Sequence, residues 1–295
     1  MINNDNDLIF NVFKSKFKES MVSRMKIFGL LLLLLFIIGC GNSSNTGEAS
    51  TSFSNAVTIT IKVGASPVPH AKILENIKED LLAQGIVLEI VEFSDYVLPN
   101  LALSDGSINA NYFQHQPYLD KMIQDRGLKI ESIAKIHIEP LSLYSNKVKT
   151  IDEVKYGGEI AMPNDPSNTA RGLILLHNNG LITLDDPTNL NVTELNIVDN
   201  PKNLKFRMLE AAMLPKVIDD VDGAIINGNY ALQANLKTED AILIEDGNSP
   251  YANVLVVRSS DVNNEEIKKL KEALLSDKTK TFIEENFKGE IMPAF

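Results

Sequence analysis

The stretch Asn111-Tyr112-Phe113-Gln114-His115-Gln116-Pro117-Tyr118-Leu119-Asp120 sits where one periodicity gives way to another. Ile108 to Phe113 reads as a strand, and Pro117 to Arg126 reads as a helix. Pro117 suits the first helical turn, where its missing N–H costs nothing. A strand running directly into a helix is the βα junction of an α/β fold. The same segment gathers Tyr112, Phe113, His115 and Tyr118 into seven residues of a chain that has no Trp. Phe113 and His115 are two apart at a strand end and point the same way, and Tyr118 follows in the first helical turn. In open α/β sheets, ligands sit beyond the carboxyl ends of strands. Phe113, His115 and Tyr118 are therefore candidates for one wall of a cleft.

Working outward, the alternation persists. Val57 to Val63 reads as a strand, broken by the Pro67-Val68-Pro69 segment. Ile73, Leu74, Ile77, Leu81 and Leu82 then fall on one helical face, and Gly85 stops that helix. Ile86 to Val91 is a strand, Asp95 to Leu103 a short helix and Ile130 to Ile138 a strand. Beyond Ile151 come a strand at Ile160 to Met162, a helix at Ala170 to Asn178, and an apolar strand at Gly223 to Ile226. A helix starts at Asn229, strands follow at Ala241 to Ile244 and Asn253 to Val257, and the end is helical from Glu265. Strands alternating with helices predict a mostly parallel sheet covered on both faces. Two α/β blocks are expected. The run from Pro250 to Asn253 looks like a connection out of the second block. A chain that leaves one domain, forms another and returns makes a hinge with a cleft between the domains.

The chain has 295 residues, 44% hydrophobic and 23% charged, with a net charge of −11. That charge and the lack of a basic stripe argue against nucleic-acid binding. The first forty residues stand apart. Phe28 to Ile38 is an apolar run interrupted only by Gly29, too short to span a bilayer comfortably, and it follows Arg24 and Lys26. This is the form of a secretory signal. It ends Ile37-Ile38-Gly39-Cys40, which resembles the lipobox of bacterial lipoproteins, with Cys40 as the lipidated residue. Cys40 is the only cysteine, so no intramolecular disulfide can form. The acidic, Asn-rich first residues do not look like a signal, and Met21 or Met25 would begin a more ordinary one. Residues 1–39 are read as the signal peptide. Residues 40–56, small and polar, are read as a tether from the lipid.

The motifs NYFQHQPYLD, EPLSLYSNKVKTIDEVKYGGEIAMPNDPSNTARGL, NPKNLKF, AIINGNYA and SPYANVLVVR occur in order across nearly the whole body. This series resembles the methionine-binding lipoproteins of the NlpA/MetQ family. The resemblance implies an α/β, type II periplasmic-binding-protein fold of two α/β domains with a hinge and an interdomain ligand cleft. On that fold, residues 57–140 plus 250–295 make domain I and 141–249 make domain II. It also implies a lipid-anchored receptor facing outside the cytoplasm, which hands L-methionine to an ABC permease whose ATPase is a separate chain. No enzymatic activity, cofactor or metal is expected.

Site residues follow in the same terms. A thioether packs well against ring edges, at about 0.3–1.5 kcal/mol per contact, which suits Phe113, His115 and Tyr118. Tyr96 matches the family position for a further aromatic wall. Asp165-Pro166-Ser167 is a turn with helix-cap candidates. Arg171, one turn on, can grip a carboxylate with two parallel hydrogen bonds. By resemblance, Asn168 and Arg171 are the carboxylate-side contacts. Asn227, after an apolar strand, can accept from an ammonium, and the family places a ligand contact there. Gly228 departs from the small hydroxylated residue of many relatives, which leaves open whether Asn229 shares the work.

Plainer readings compete: rings that are only core, a solvated Arg171, an Asn227 that merely caps a helix. His70 reads as a surface or capping residue, and His137 and His177 lack partners at metal spacing. The competing functions are a receptor for D-methionine or for a Met-containing dipeptide such as Gly-Met, an exported hydrolase using His115 and Asp165, and an adhesin without a small ligand. No nucleophile–base–orienter arrangement supports the hydrolase.

Overall fold

A computed structural model describes residues 58–246 and 250–295. The signal segment, Cys40, the tether and Val57 lie outside the described residues. Among those described, no helix is long and apolar enough to cross a membrane.

The first lobe opens with β1 (Ile59–Ala65), α1 (Lys72–Asn76), α2 (Lys78–Ala83) and β2 (Ile86–Glu92). Then come α3 (Leu98–Ser104), β3 (Ala110–His115), α4 (Gln116–Arg126) and β4 (Ile130–Ile138). The chain moves to a second sheet with β5 (Ser142–Tyr144), β6 (Glu159–Pro163), α5 (Pro166–Asn178), β7 (Thr183–Leu184), β8 (Ile197–Asp199) and β9 (Lys205–Leu209). It continues through β10 (Gly223–Ile226), α6 (Gly228–Gln233) and β11 (Leu243–Ile244). It returns with β12 (Ala252–Arg258), α7 (Glu265–Leu274), α8 (Asp277–Phe287) and β13 (Met292–Pro293).

Six strands form one sheet in the order β13-β4-β12-β3-β1-β2, and five form another in the order β11-β5-β10-β6-β9. The chain passes from the first sheet to the second between β4 and β5, and back between β11 and β12. Each sheet is mixed rather than mostly parallel. The pairs β1–β2, β1–β3, β6–β9 and β6–β10 are parallel, as βα units require. The strands at the crossings run against them: β12 lies antiparallel between β3 and β4, and β5 is antiparallel to β10 and β11. A strand that enters from the other lobe is not the product of a crossover helix, so nothing obliges it to run parallel.

The apolar spacing of the first helix is largely spent as expected. Ile73, Leu74, Ile77 and Leu81 are buried with Ile61, Val63 and Leu88. The helix breaks at Ile77, however, where φ is −100° and ψ is 0°. The break resets the phase of the stripe, and Leu82 faces solvent. Each fully buried Leu or Ile contributes roughly 1.5–3 kcal/mol, so this face anchors α1 and α2 on the first sheet. In the second lobe, Leu143, Ile160, Leu173 and Ile225 pack on one side, and Ala161, Leu214, Ala224 and Ile226 on the other.

Candidate functional site

Two helix starts fix the site. Strand β3 ends at His115, which is also the cap of α4: its Nδ1 accepts the backbone N–H of Tyr118 at 3.1 Å. That bond dictates the tautomer. The proton resides on Nε2, which donates to Asn168 Oδ1 at 3.0 Å. Helix α5 is capped by Asp165, whose carboxylate accepts from the N–H of Asn168 at 3.0 Å. The Asn168 side-chain amide donates to the same carboxylate at 2.9 and 3.0 Å, so its oxygen is the atom turned to His115.

Asn168 Oδ1 takes a second bond, from Asn227 Nδ2 at 2.8 Å. With the Asn227 nitrogen committed, its oxygen is left over. Asn227 Oδ1 is buried and has no partner among the described residues. Asn227 occupies the cap position of α6 without making a side-chain cap bond. Asn229 is set in a similar way. Its Oδ1 accepts from Tyr96 Oη at 2.5 Å, and its buried Nδ2 has no partner among the described residues.

The rings meet edge to face. Tyr96 and Tyr118 lie 5.8 Å apart between centroids, and Phe113 and Tyr118 lie 6.3 Å apart, the spacing that favours aromatic pairs. Tyr118 Oη donates to the carbonyl of Tyr96 at 2.9 Å. Behind them Asn100, Asn111 and Gln114 form a closed amide network with bonds of 2.7 to 3.0 Å.

All seven expected residues, Tyr96, Phe113, His115, Tyr118, Asn168, Arg171 and Asn227, line one cavity. Gln114, Glu139, Asn229 and Asn253 line it too. Of these four the sequence pattern points only to Asn229. Nothing in local pattern marked Glu139, which follows an apolar strand, or Asn253, which sits inside one.

Arg171 differs from expectation. It does grip a carboxylate with two nitrogens, but that carboxylate belongs to the chain. Nε donates to Glu245 at 3.0 and 3.2 Å, and Nη2 pairs with the same group. Nη2 also donates to the carbonyl of Glu139 at 2.7 Å, and the Tyr251 ring lies 4.3 Å from the guanidinium carbon. Arg171 is 4% exposed, not a solvated surface residue.

The histidines are corrected as well. His70 is fully buried, not a surface or capping residue. His137 does have a carboxylate partner: its Nε2 lies 2.8 Å from Glu139 Oε1, and its Nδ1 meets Tyr112 Oη. His70 Nε2 stands 3.3 Å from the same Oε1 and 3.0 Å from Asn253 Oδ1. His137 and Glu139 lie two residues apart at the end of β4, and only His70 is brought to them from a distant turn, which spacing along the sequence does not reveal. Their ligating atoms are close enough together to hold an ion, and the Nε2 atoms of His137 and His70 are engaged by Glu139 and Asn253.

Burial drives both key histidines towards the neutral form. The His115 imidazole is pushed down to about 3 by burial and then by the charge of Arg171. Burial pushes His70 down to about 4, against the opposing pull of Glu139. Burial also opposes ionisation of Glu139, but attraction to His70 and the bonds from His137 and Asn229 outweigh it, and the carboxyl stays below its ordinary range.

Residues 61–295 match the family model described as NlpA lipoprotein. The chain belongs to the NlpA lipoprotein family. Within that family it is 41% identical over 264 residues to the D-methionine-binding lipoprotein MetQ of Salmonella typhi, covering 88% of this chain and 94% of that one. Among solved structures it resembles a nutrient-binding protein of Burkholderia cenocepacia bound to methionine, with a TM-score of 0.77 and 44% identity over 80% of this chain and all of that one. It also resembles a periplasmic substrate-binding protein of an ABC transporter from Coxiella burnetii, with a TM-score of 0.76 and 44% identity over 79% of this chain and 100% of the other. The chain thus has the type II periplasmic-binding-protein fold, two α/β domains joined by a hinge with a ligand cleft between them.

Proposed function

We propose that the protein is a lipid-anchored receptor that binds L-methionine between its lobes and delivers it to an ABC permease. One observation carries the reading. A wall of rings and a wall of oriented amides close on the same cavity, and the amide wall presents a buried acceptor, Asn227 Oδ1, that lacks a donor among the described residues. An amino acid with a long, soft, apolar side chain satisfies both walls. Tyr96, Phe113, His115 and Tyr118 enclose the thioether. Arg171, through the nitrogen that Glu245 does not use, binds the carboxylate. Asn227 Oδ1 accepts from the ammonium, and Asn168 orients Asn227 and His115 rather than spending its oxygen on the ligand.

In this reading residues 57–140 plus 250–295 and residues 141–249 move as two bodies about the crossings. Contacts between them stabilise closure only when ligand bonds are added. Lipidated Cys40 holds the receptor at the outer face of the membrane, residues 40–56 give it reach, and permease and ATPase are separate partners. The protein is a carrier rather than a catalyst and uses no cofactor or metal. The names of relatives at about 40% identity favour D-methionine as a second candidate ligand.

A thermal-shift panel on residues 55–295, stripped of ligand by unfolding and refolding, tests this. A ligand at a hundred times its Kd adds about 2.7 kcal/mol of stability. Selective stabilisation by L-methionine is the expected result. A response to D-methionine or Gly-Met alone reassigns the substrate, and a folded protein that responds to none of the three refutes the reading.

A further inference from the structure

The charges around the cavity do not balance. Arg171 is matched by Glu245. His115 is neutral at physiological pH, with one nitrogen accepting from backbone and the other donating to Asn168. That leaves Glu139, a lining residue only 5% exposed. Its Oε1 lies 2.8 Å from His137 Nε2 and 3.3 Å from His70 Nε2, whose hydrogen bond goes to Asn253 Oδ1. Its Oε2 receives the backbone N–H of Asn229 at 2.8 Å. Among the described residues no lysine or arginine side chain pairs with this carboxylate. A buried carboxylate with no permanent cation paired to it is stabilised by a cation brought to it.

A second feature points to the same spot. Asn227 Oδ1, the buried acceptor without a donor, is carried by the chain turn that touches Glu139. A Cβ on Gly228 would lie 2.7 Å from Cβ of Glu139. Only glycine lets the start of α6 approach the Glu139 stem this closely, and Asn227 and Glu139 line the same cavity. An anion and an orphan acceptor on one wall are the complement of a group with several N–H donors and a positive charge.

We propose that Glu139 is a specificity-determining residue, the counter-charge that makes the cavity select a protonated primary amine beside the ligand's carboxylate. The inference rests on the methionine reading and adds a residue and a rule to it. Glu139 rejects ligands of the same shape that lack the positive charge, and His70 and His137 keep the carboxylate ionised and aimed.

The test compares L-methionine with its α-hydroxy analogue, which keeps a hydrogen-bond donor for Asn227 and loses the charge. The wild-type protein should bind L-methionine at least about 100-fold more tightly, the scale expected when a buried charged partner is missing. Glu139→Gln should lose most of its L-methionine affinity while its affinity for the hydroxy analogue changes little, so that the two ligands converge. Equal losses for both ligands would make Glu139 purely structural and overturn the inference. If the variant does not fold, the wild-type comparison decides alone: binding of the hydroxy analogue within about tenfold of L-methionine would overturn it. A wild-type protein that binds neither ligand fails the methionine reading itself, a different outcome from binding both alike.

Discussion

The two walls of the cavity are built on opposite principles. The ring wall is local. Three of its members lie within six residues, and Tyr96 joins them through ring contacts of 5.8 to 6.1 Å. The polar wall is assembled from far apart. Asn168 is fixed by His115 and Asn227, 53 and 59 residues away, and Arg171 by Glu245, 74 away. Rings need only contact to be useful, since any edge or face of the right size excludes water. An amide is useful only one way round. Which atom of Asn227 is left without a partner is decided by Asn168, and which atom of Asn168 is turned to His115 is decided by Asp165. The ring wall should therefore tolerate change gradually, whereas the polar wall should fail as a unit.

Acid should expose this difference most. His115 belongs to the ring wall by position and to the polar network by its bonds. Below pH 6.5 the unfolded chain takes up protons that the folded protein refuses, down to about 3 at His115 and about 4 at His70. With more protons bound in the unfolded state, stability is full above pH 6.5 and falls as the pH drops. The slope is up to about 1.4 kcal/mol per pH unit for each histidine. Glu139, held below its ordinary 4.5, loses its contribution in the same direction at still lower pH. Thermal unfolding at pH 7.5, 6 and 5 should show Tm dropping with each step. A flat Tm over that range would mean the histidines titrate as they do in water, and that burial does not govern the network.

Next in size is Arg171→Ala, which should weaken binding of methionine and of alanine alike by about 1.5–3 kcal/mol, the scale of hydrogen bonds to a charged group. Unlike a surface substitution, it should also lower Tm, because Glu245 loses its partner. Adding Glu245→Gln should recover stability without recovering affinity. If the double variant binds normally, Arg171 serves only to neutralise Glu245, and the carboxylate contact is elsewhere.

The same contrast explains what could be read in advance. The βα junction at His115 and the ring cluster follow from neighbours along the chain, where period and proline chemistry act directly. Pro166 and Asp165 likewise announce α5. Glu139, Glu245, Asn253 and His70 were out of reach because their roles depend on pairings across 74 to 183 residues. Glu139 at the end of an apolar strand looks like an ordinary strand terminus until Asn229 and His70 are folded against it. The antiparallel placement of β12 was hidden for the same reason: a strand's direction in a sheet is set by where the chain comes from, not by its own residues.

The smallest effect tests the ring wall on its own terms. Tyr118→Phe keeps the ring and deletes the hydroxyl that donates to the Tyr96 carbonyl at 2.9 Å. Losing one partly buried hydrogen bond should cost about 0.5–1.5 kcal/mol of stability. The ratio of methionine to alanine affinity should not move, because the thioether meets the ring and not the hydroxyl. Tyr118→Ala should reduce that ratio, since it removes the surface itself. Measuring both variants against both ligands by calorimetry separates the cases. If Phe alone erodes the preference for methionine, the hydroxyl and its bond to Tyr96 read the ligand. The ring wall would then be an oriented network like its neighbour, and the distinction between the two walls would fall.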